Sequence, residues 1–280
     1  MSSVLFDLPG PRARRRHHIA TGLTVLGLAL LLALAGWRLA TQDQFTVQKW
    51  EPFVTPRILE VLLQGLIDTL QAAVLAIVFA VGFGLVFGPA KLSGHRVVRW
   101  PAWLVVEFFR AVPLLMLIIA LFAAFSTELG SFWCLVAGLT LYNGAVLAEV
   151  FRAGINAVPK GQSEAAYAIG MRKGQVTTVI LLPQAVKIML PAIISQCVVA
   201  LKDTSLGFAI LAPGLTAAGR LVWGEFQNRF ATAIVLAAIY IVLNCMLSWL
   251  AGWLQRRLAR SGSSSPAPFE AGESTVREAL

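Results

Sequence analysis

The sequence predicts an all-α integral membrane protein with about six transmembrane helices. Three observations carry that expectation. Hydrophobic residues make up 58% of the 280 positions and charged residues 13%, a balance suited to lipid rather than water. Apolar windows near 19–40, 68–90, 102–125, 130–151, 187–212 and 230–255 each supply the roughly 20 residues that a hydrocarbon core of about 30 Å requires of a helix. The basic residues fall mostly on one side of the bilayer once those windows are threaded through it.

The windows differ in ways that matter. Residues 1–18 form a basic stretch that precedes the first helix, at 19–40, which only Arg38 interrupts with a charge. The same stretch, ending near Ala33-Leu34-Ala35, fits a signal peptide with a small-residue cleavage site; its apolar run exceeds the usual 7–15 residues or so, which favours a retained helix. Cleavage would leave the other five helices in the same orientation. Residues 69–90 carry no charge, and Gly84 and Gly88 there make a small-x-x-x-small face for helix packing rather than a phosphate loop. The window at 102–125 contains Glu107, Arg110 and Pro113, and that at 187–212 contains Lys202 and Asp203. The last, at 230–255, is free of charge, and the Ser/Pro-rich tail at 261–280 reads as disordered.

With both termini on the inner side, sixteen of the 23 Lys and Arg residues lie inside, five lie outside, and Arg110 and Lys202 lie at depth. The positive-inside rule therefore places both termini in the cytoplasm and the chain in the cell membrane. The net charge of +9 is accounted for by topology and by attraction to anionic lipid, without nucleic acid as a partner.

Several chemistries are excluded. Cys134, Cys197 and Cys245 lie within helical windows without metal spacing and read as small packing residues. His17 and His18 extend the basic flank, His95 sits in a short inner loop, and no metal site is expected. No Gly-x-x-x-x-Gly-Lys-Ser/Thr loop occurs, so the chain is expected to bind no nucleotide itself. No Ser/His/Asp or Cys/His set is available, so it is not expected to be an enzyme.

The loop at 156–186 stands out. Pro159 and Gly161 are expected to break the helix leaving the bilayer, Ser163 to Ala168 to form a short helix with a small face at Ala165, Ala166 and Ala168, and Gly170 to end it in the left-handed conformation. Glu164 offers a charge at its start, Arg172 and Lys173 offer cations after it, and Pro183 marks a break before re-entry. The pattern Glu164-Ala165-Ala166, three residues, Gly170, nine residues, Ile180-Leu181-Leu182-Pro183 resembles the loop by which permease subunits of ATP-binding-cassette (ABC) importers engage their ATPases. Glu107-Phe108-Phe109-Arg110-Ala111-Val112-Pro113-Leu114-Leu115 and Lys202-Asp203-Thr204-Ser205-Leu206 are similar to two further segments of polar amino-acid permeases, and Ala111-Val112 in place of the commoner Gly-Thr looks like glutamate-importer permeases of actinobacteria.

The resemblance covers roughly residues 60–255. It implies a type I ABC-importer permease fold with a cytoplasmic coupling helix, in which Gly161, Glu164, Ala165, Ala166, Gly170, Arg172 and Pro183 form the ATPase-coupling surface. It also implies two ATPase subunits that hold ATP and Mg, a second permease subunit that is identical or related, and an extracellular amino-acid-binding protein.

Charges at depth need a reason, because each costs at least about 2.5–3.5 kcal/mol on insertion scales. At 1.5 Å per residue, Arg110 falls about 16 Å beyond Arg99 and Lys202 about 22 Å beyond Lys187. One reading is two compensated pairs, Glu107 with Arg110 and Lys202 with Asp203. The other is a substrate pathway in which Arg110 and Lys202 hold a carboxylate, Thr204 and Ser205 supply hydroxyls, and Glu107 or Asp203 receives an ammonium. Glu149 and Arg152 are read as structural, at the inner interface. A secondary carrier driven by an ion gradient would also place charges at depth, but no internal repeat is evident.

Overall fold

A computed structural model describes residues 10–260, and among them every regular element is helical. The expectations for residues 1–9 and for the tail at 261–280 lie outside the described residues. The chain divides into two compact units, Met1–Glu60 with Leu221–Ile234, and Val61–Arg220 with Val235–Leu280.

In the first unit, α1 runs from Pro11 to Thr41 with proline at its first turn, where a missing N–H costs nothing. None of its most apolar window is covered by protein, and a helix that is apolar all round and uncovered is matched to lipid. A short α2 (Val47–Trp50) and a 3-10 turn (Glu51–Val54) follow. Asn228, fully buried, donates its amide to the Lys49 carbonyl at 2.9 Å and accepts the Thr232 hydroxyl at 3.0 Å.

Helix α3 (Pro56–Ala90) is 35 residues long and begins well before its apolar window, which marked the uncharged stretch rather than the helix start. It is followed by α4 (Arg96–Ala111) and α5 (Leu114–Ala157). Pro113 separates these two, because it has no N–H to donate back to Phe109; the last bond of α4 runs from the Val112 N–H to the Phe108 carbonyl at 3.1 Å. At 44 residues α5 would extend about 66 Å, twice a bilayer core. Gly130, at φ 71° and ψ 166°, breaks it into two helices. Among the described residues five helices are long and apolar enough to cross a membrane; α5 is one of them, and dividing it at Gly130 gives six segments, in line with the expectation of about six.

Then come α6 (Lys160–Ala168), a single turn α7 (Lys173–Gln175), a π-helical turn (Val176–Leu181), α8 (Leu182–Asp203), a 3-10 turn (Thr204–Ile210), α9 (Leu215–Phe226) and α10 (Arg229–Arg260). Small residues let these helices approach closely. Ala72 and Ala76 of α3 pack with Ile118, Cys134, Leu135 and Leu139 of α5, and Ala80 packs with Leu147, Phe151 and Met189. Cys134 is buried as expected of a packing residue, whereas Cys245 is exposed and packs against little.

The expected glycine face is present. A Cβ on Gly88 would lie 2.7 Å from Phe151 Cβ and 2.9 Å from the Ala148 carbonyl oxygen, while one on Gly82 would meet nothing within 4 Å. Gly88→Ala is therefore expected to destabilise by about 1–3 kcal/mol through overpacking. Gly82→Ala is expected to be neutral or stabilising by about 0.5–1 kcal/mol. Thermal unfolding of the two purified variants checks the contrast, and equal midpoints would contradict it.

Candidate functional site

The coupling motif folds locally for reasons visible in its backbone. Pro159 precedes α6, and the Ser163 hydroxyl donates to the Lys160 carbonyl at 2.7 Å inside its first turn. Gly161 lies within α6 rather than breaking the chain before it, since Pro159 alone ends the preceding helix. Gly170, at φ 82°, ends α6 as expected. Its N–H donates to the Tyr167 carbonyl at 2.9 Å and the Met171 N–H to the Ala166 carbonyl at 3.2 Å, the paired bonds of a Schellman motif.

The small face is not wholly outward. Ala166 is 4% exposed, packed within its own unit, whereas Glu164, Ala165 and Ala168 are exposed. Arg172 is exposed, and its N–H is fixed by the Gln175 side chain at 2.9 Å. Pro183 does not interrupt the chain: it sits in the first turn of α8, and the helical course from Lys173 to Ile210 is continuous. Proline cannot donate to the Val179 carbonyl four residues back, and the wider π turn at Val176–Leu181 absorbs that loss.

Glu107 and Arg110 belong to a larger charge cluster than their spacing suggests. Arg110 Nη1 lies 3.3 and 3.4 Å from the two Glu107 carboxylate oxygens, one helical turn away. Glu107 Oε1 also accepts from Lys91 Nζ at 3.1 Å, and Lys91 donates in turn to Glu149. Glu149 Oε2 accepts from Arg152 Nε at 2.9 Å. The Lys91 side chain, just past the end of α3, is only 5% exposed, so it is a buried, paired cation rather than a solvated flanking charge. Glu149 and Arg152, read as structural, are linked through Lys91 to the candidate Glu107 and, by way of it, to Arg110.

Arg110 opens onto a cleft of about 460 Å³ lined with Tyr142, Val146, Glu149, Val150 and Ala153. A second cleft, also about 460 Å³, is lined by Lys91, Glu107, Glu149 and Arg152 together with Arg99, Trp100 and Trp103. Lys202 and Ser205 line a third, of about 500 Å³, with Tyr240, Asn244 and Cys245. Arg110 and Lys202 thus serve separate clefts. Thr204 is buried and its hydroxyl donates to the Leu201 carbonyl at 2.6 Å. No Lys202–Asp203 ion pair forms among the described residues; nearby, the buried Asn143 accepts from Gln196 Nε2 at 2.6 Å and donates to the Leu139 carbonyl at 2.9 Å. Asn244 Oδ1 is buried without a hydrogen-bond partner among the described residues, leaving an acceptor beside the Lys202 cleft. Lys91, Tyr142 and Asn143 were not singled out by sequence, because nothing local marks a pairing across 58 residues such as Lys91 with Glu149.

Residues 80–260 match the family of binding-protein-dependent transport system inner membrane components. The chain is 41% identical over 228 residues to the glutamate transport system permease protein GluD of Corynebacterium glutamicum, covering 79% of this chain and 83% of that one. It is 30% identical over 201 residues to the arginine transport system permease protein ArtQ of Bacillus subtilis, covering 70% and 92%. Among solved structures, an amino acid ABC transporter crystallised with histidines is similar at 30% identity and a TM-score of 0.66, over 72% of this chain and 95% of that one. A methionine ABC transporter in an inward-facing conformation shares the fold, with a TM-score of 0.64 at 18% identity, over 73% and 99%. The motifs, the membrane-length helices and these likenesses agree: the chain belongs to the family of binding-protein-dependent transport system inner membrane components, among the permease subunits of amino-acid ABC importers.

Proposed function

We infer that this permease moves an acidic amino acid, L-glutamate in the first instance, inward across the cell membrane at the expense of ATP hydrolysed by separate subunits. The observation that carries the substrate class is the charge balance of the cluster. In the ion-paired network three cations, Lys91, Arg110 and Arg152, face two carboxylates, Glu107 and Glu149, and Arg99 lines the same cleft as Lys91. This excess of positive charge suits a substrate with two carboxylates and one ammonium. Arg110, whose side chain is 40% exposed and opens onto its own cleft, presents a guanidinium whose two parallel donors suit a carboxylate. The glutamate permease among the relatives supports the same reading.

The rest of the assembly follows from the family. Two ATPases that carry ATP and Mg dock on the exposed Glu164 and Arg172 side of α6 from the cytoplasm, where both termini also lie. A second permease completes the pathway, and an extracellular binding protein delivers substrate. Nucleotide closure and a loaded binding protein each bias one two-state packing of the helices.

The test is uptake of radiolabelled L-glutamate by proteoliposomes that hold the whole transporter and its binding protein. Uptake is expected to require enclosed ATP, to survive a protonophore, and to be inhibited by unlabelled L-glutamate more than by L-arginine. Uptake without ATP that collapses with the proton gradient would establish the ion-driven carrier instead.

A further inference from the structure

Arg110 already holds a carboxylate of its own chain. Glu107 is one turn away on α4, both its oxygens lie within 3.4 Å of Arg110 Nη1, and its side chain is 39% exposed, lining the cleft that shares Glu149 with the Arg110 cleft. An incoming substrate carboxylate that uses the fork of Arg110 meets this group first. Displacing it would ordinarily strand a carboxylate at membrane depth, which is costly.

Lys91 changes that balance. Its ammonium is 3.1 Å from Glu107 Oε1, it comes from the end of α3 rather than from α4, and it is buried. Glu107 released by Arg110 therefore keeps a cationic partner. Lys91 is itself neutralised by Glu149 whichever way Glu107 leans, and Glu149 is held in turn by Arg152. The cluster supports two arrangements in which every carboxylate is paired, one with Glu107 on Arg110 and one with Glu107 on Lys91 alone and Arg110 open.

We propose that Glu107 is a resident stand-in for the substrate carboxylate, and that Lys91 is the positioning residue that receives Glu107 when substrate takes Arg110. This rests on the reading of Arg110 as the carboxylate-binding group. The exchange lets the empty pathway rest without an exposed, unpaired guanidinium, and it sets the affinity of the membrane site below what Arg110 alone would give. A low affinity at that point favours release of substrate rather than its retention.

The proposal is tested by direct binding of L-glutamate to the purified whole transporter in nanodiscs, without binding protein. Glu107→Gln removes the competing charge while keeping shape, and it is expected to tighten binding about tenfold or more, as loss of one charge-assisted competitor implies. Glu107→Asp keeps the competing charge and is therefore expected not to tighten binding as Glu107→Gln does. Lys91→Gln throws Glu107 back onto Arg110 and is expected to weaken binding by a similar factor. In the Lys91→Gln/Glu107→Gln double variant that weakening disappears, because no charge remains to be received; damage to the fold would weaken all of these variants together. Arg110→Gln separates the two readings. If it abolishes binding while Glu107→Gln fails to tighten it, the exchange is wrong and the Arg110 site stands. If binding survives Arg110→Gln, the site itself is wrong. Should the Glu107→Gln protein fail to assemble, Glu107→Ala and the double variant read the same difference, and unaltered or weakened binding in both would overturn the exchange.

Discussion

Replacing Glu149 by alanine is expected to be among the most damaging single changes in the membrane-embedded part of this chain. Glu149 is the carboxylate that joins the buried Lys91 ammonium to Arg152, and its own side chain is 18% exposed. Removing one member of a buried pair costs about 3–5 kcal/mol because it leaves an uncompensated charge. Lys91 keeps Glu107 and Arg152 is 39% exposed, so the lower end of that range applies. The cluster would then hold three cations against one carboxylate. Combining Glu149→Ala with Lys91→Met removes the buried cation as well, and the double variant is expected to lose less stability than the two single changes added together, by about 0.5–3 kcal/mol. Thermal unfolding of the purified complexes measures all three. Strict additivity would mean that Lys91 and Glu149 do not depend on each other, and that the cluster is an incidental meeting of separate pairs.

How far the sequence alone reached is clear from particular residues. The membrane-length helices were legible because each needs a long run of apolar residues, and such a run leaves a mark whatever it packs against. The left-handed end of α6 was legible because Gly170 is the residue that tolerates φ 82°, and the Gly84–Gly88 face because small residues four apart meet a neighbouring helix. The pair of Glu107 with Arg110 was also open to inspection, since three residues is one turn.

What was not legible depended on contacts between distant parts of the chain. Lys91 was counted as an inner-edge charge because its local sequence is an ordinary helix end, and only the arrival of Glu149 from α5 makes it a buried group. Ala165 and Ala166 looked alike in sequence, yet one is exposed and the other turned inward, because a nine-residue helix cannot show all its small residues to one partner. Pro183 was read as a break since proline usually ends regular structure. The π turn before it supplies the extra width that keeps the chain helical, and nothing in the local composition announces that compensation.

The coupling surface yields the second large effect. Glu164 lies in the middle of α6 and Arg172 just beyond its Schellman turn, so their spacing depends on the left-handed geometry of Gly170. A valine there must adopt φ 82° or unwind the turn, and the left-handed conformation costs an ordinary L-residue roughly 1–2 kcal/mol, more when it is β-branched. A Cβ at Gly170 would meet nothing within 4 Å, so the penalty is conformational and not steric crowding. Unwinding frees the Met171 N–H from the Ala166 carbonyl and displaces Arg172 relative to Glu164. Gly170→Val is therefore expected to lower substrate moved per ATP hydrolysed several-fold in the reconstituted transporter, with membrane insertion unchanged. Gly170→Asn, which accepts the left-handed region more readily, is expected to recover much of that ratio. Glu164→Ala leaves the helix intact and removes only the exposed contact, so its loss should not be repaired by any change at position 170. If valine and asparagine at position 170 behave alike, the geometry of the turn does not set the register of the docking surface, and the role of Gly170 must then lie in close approach of the partner's backbone.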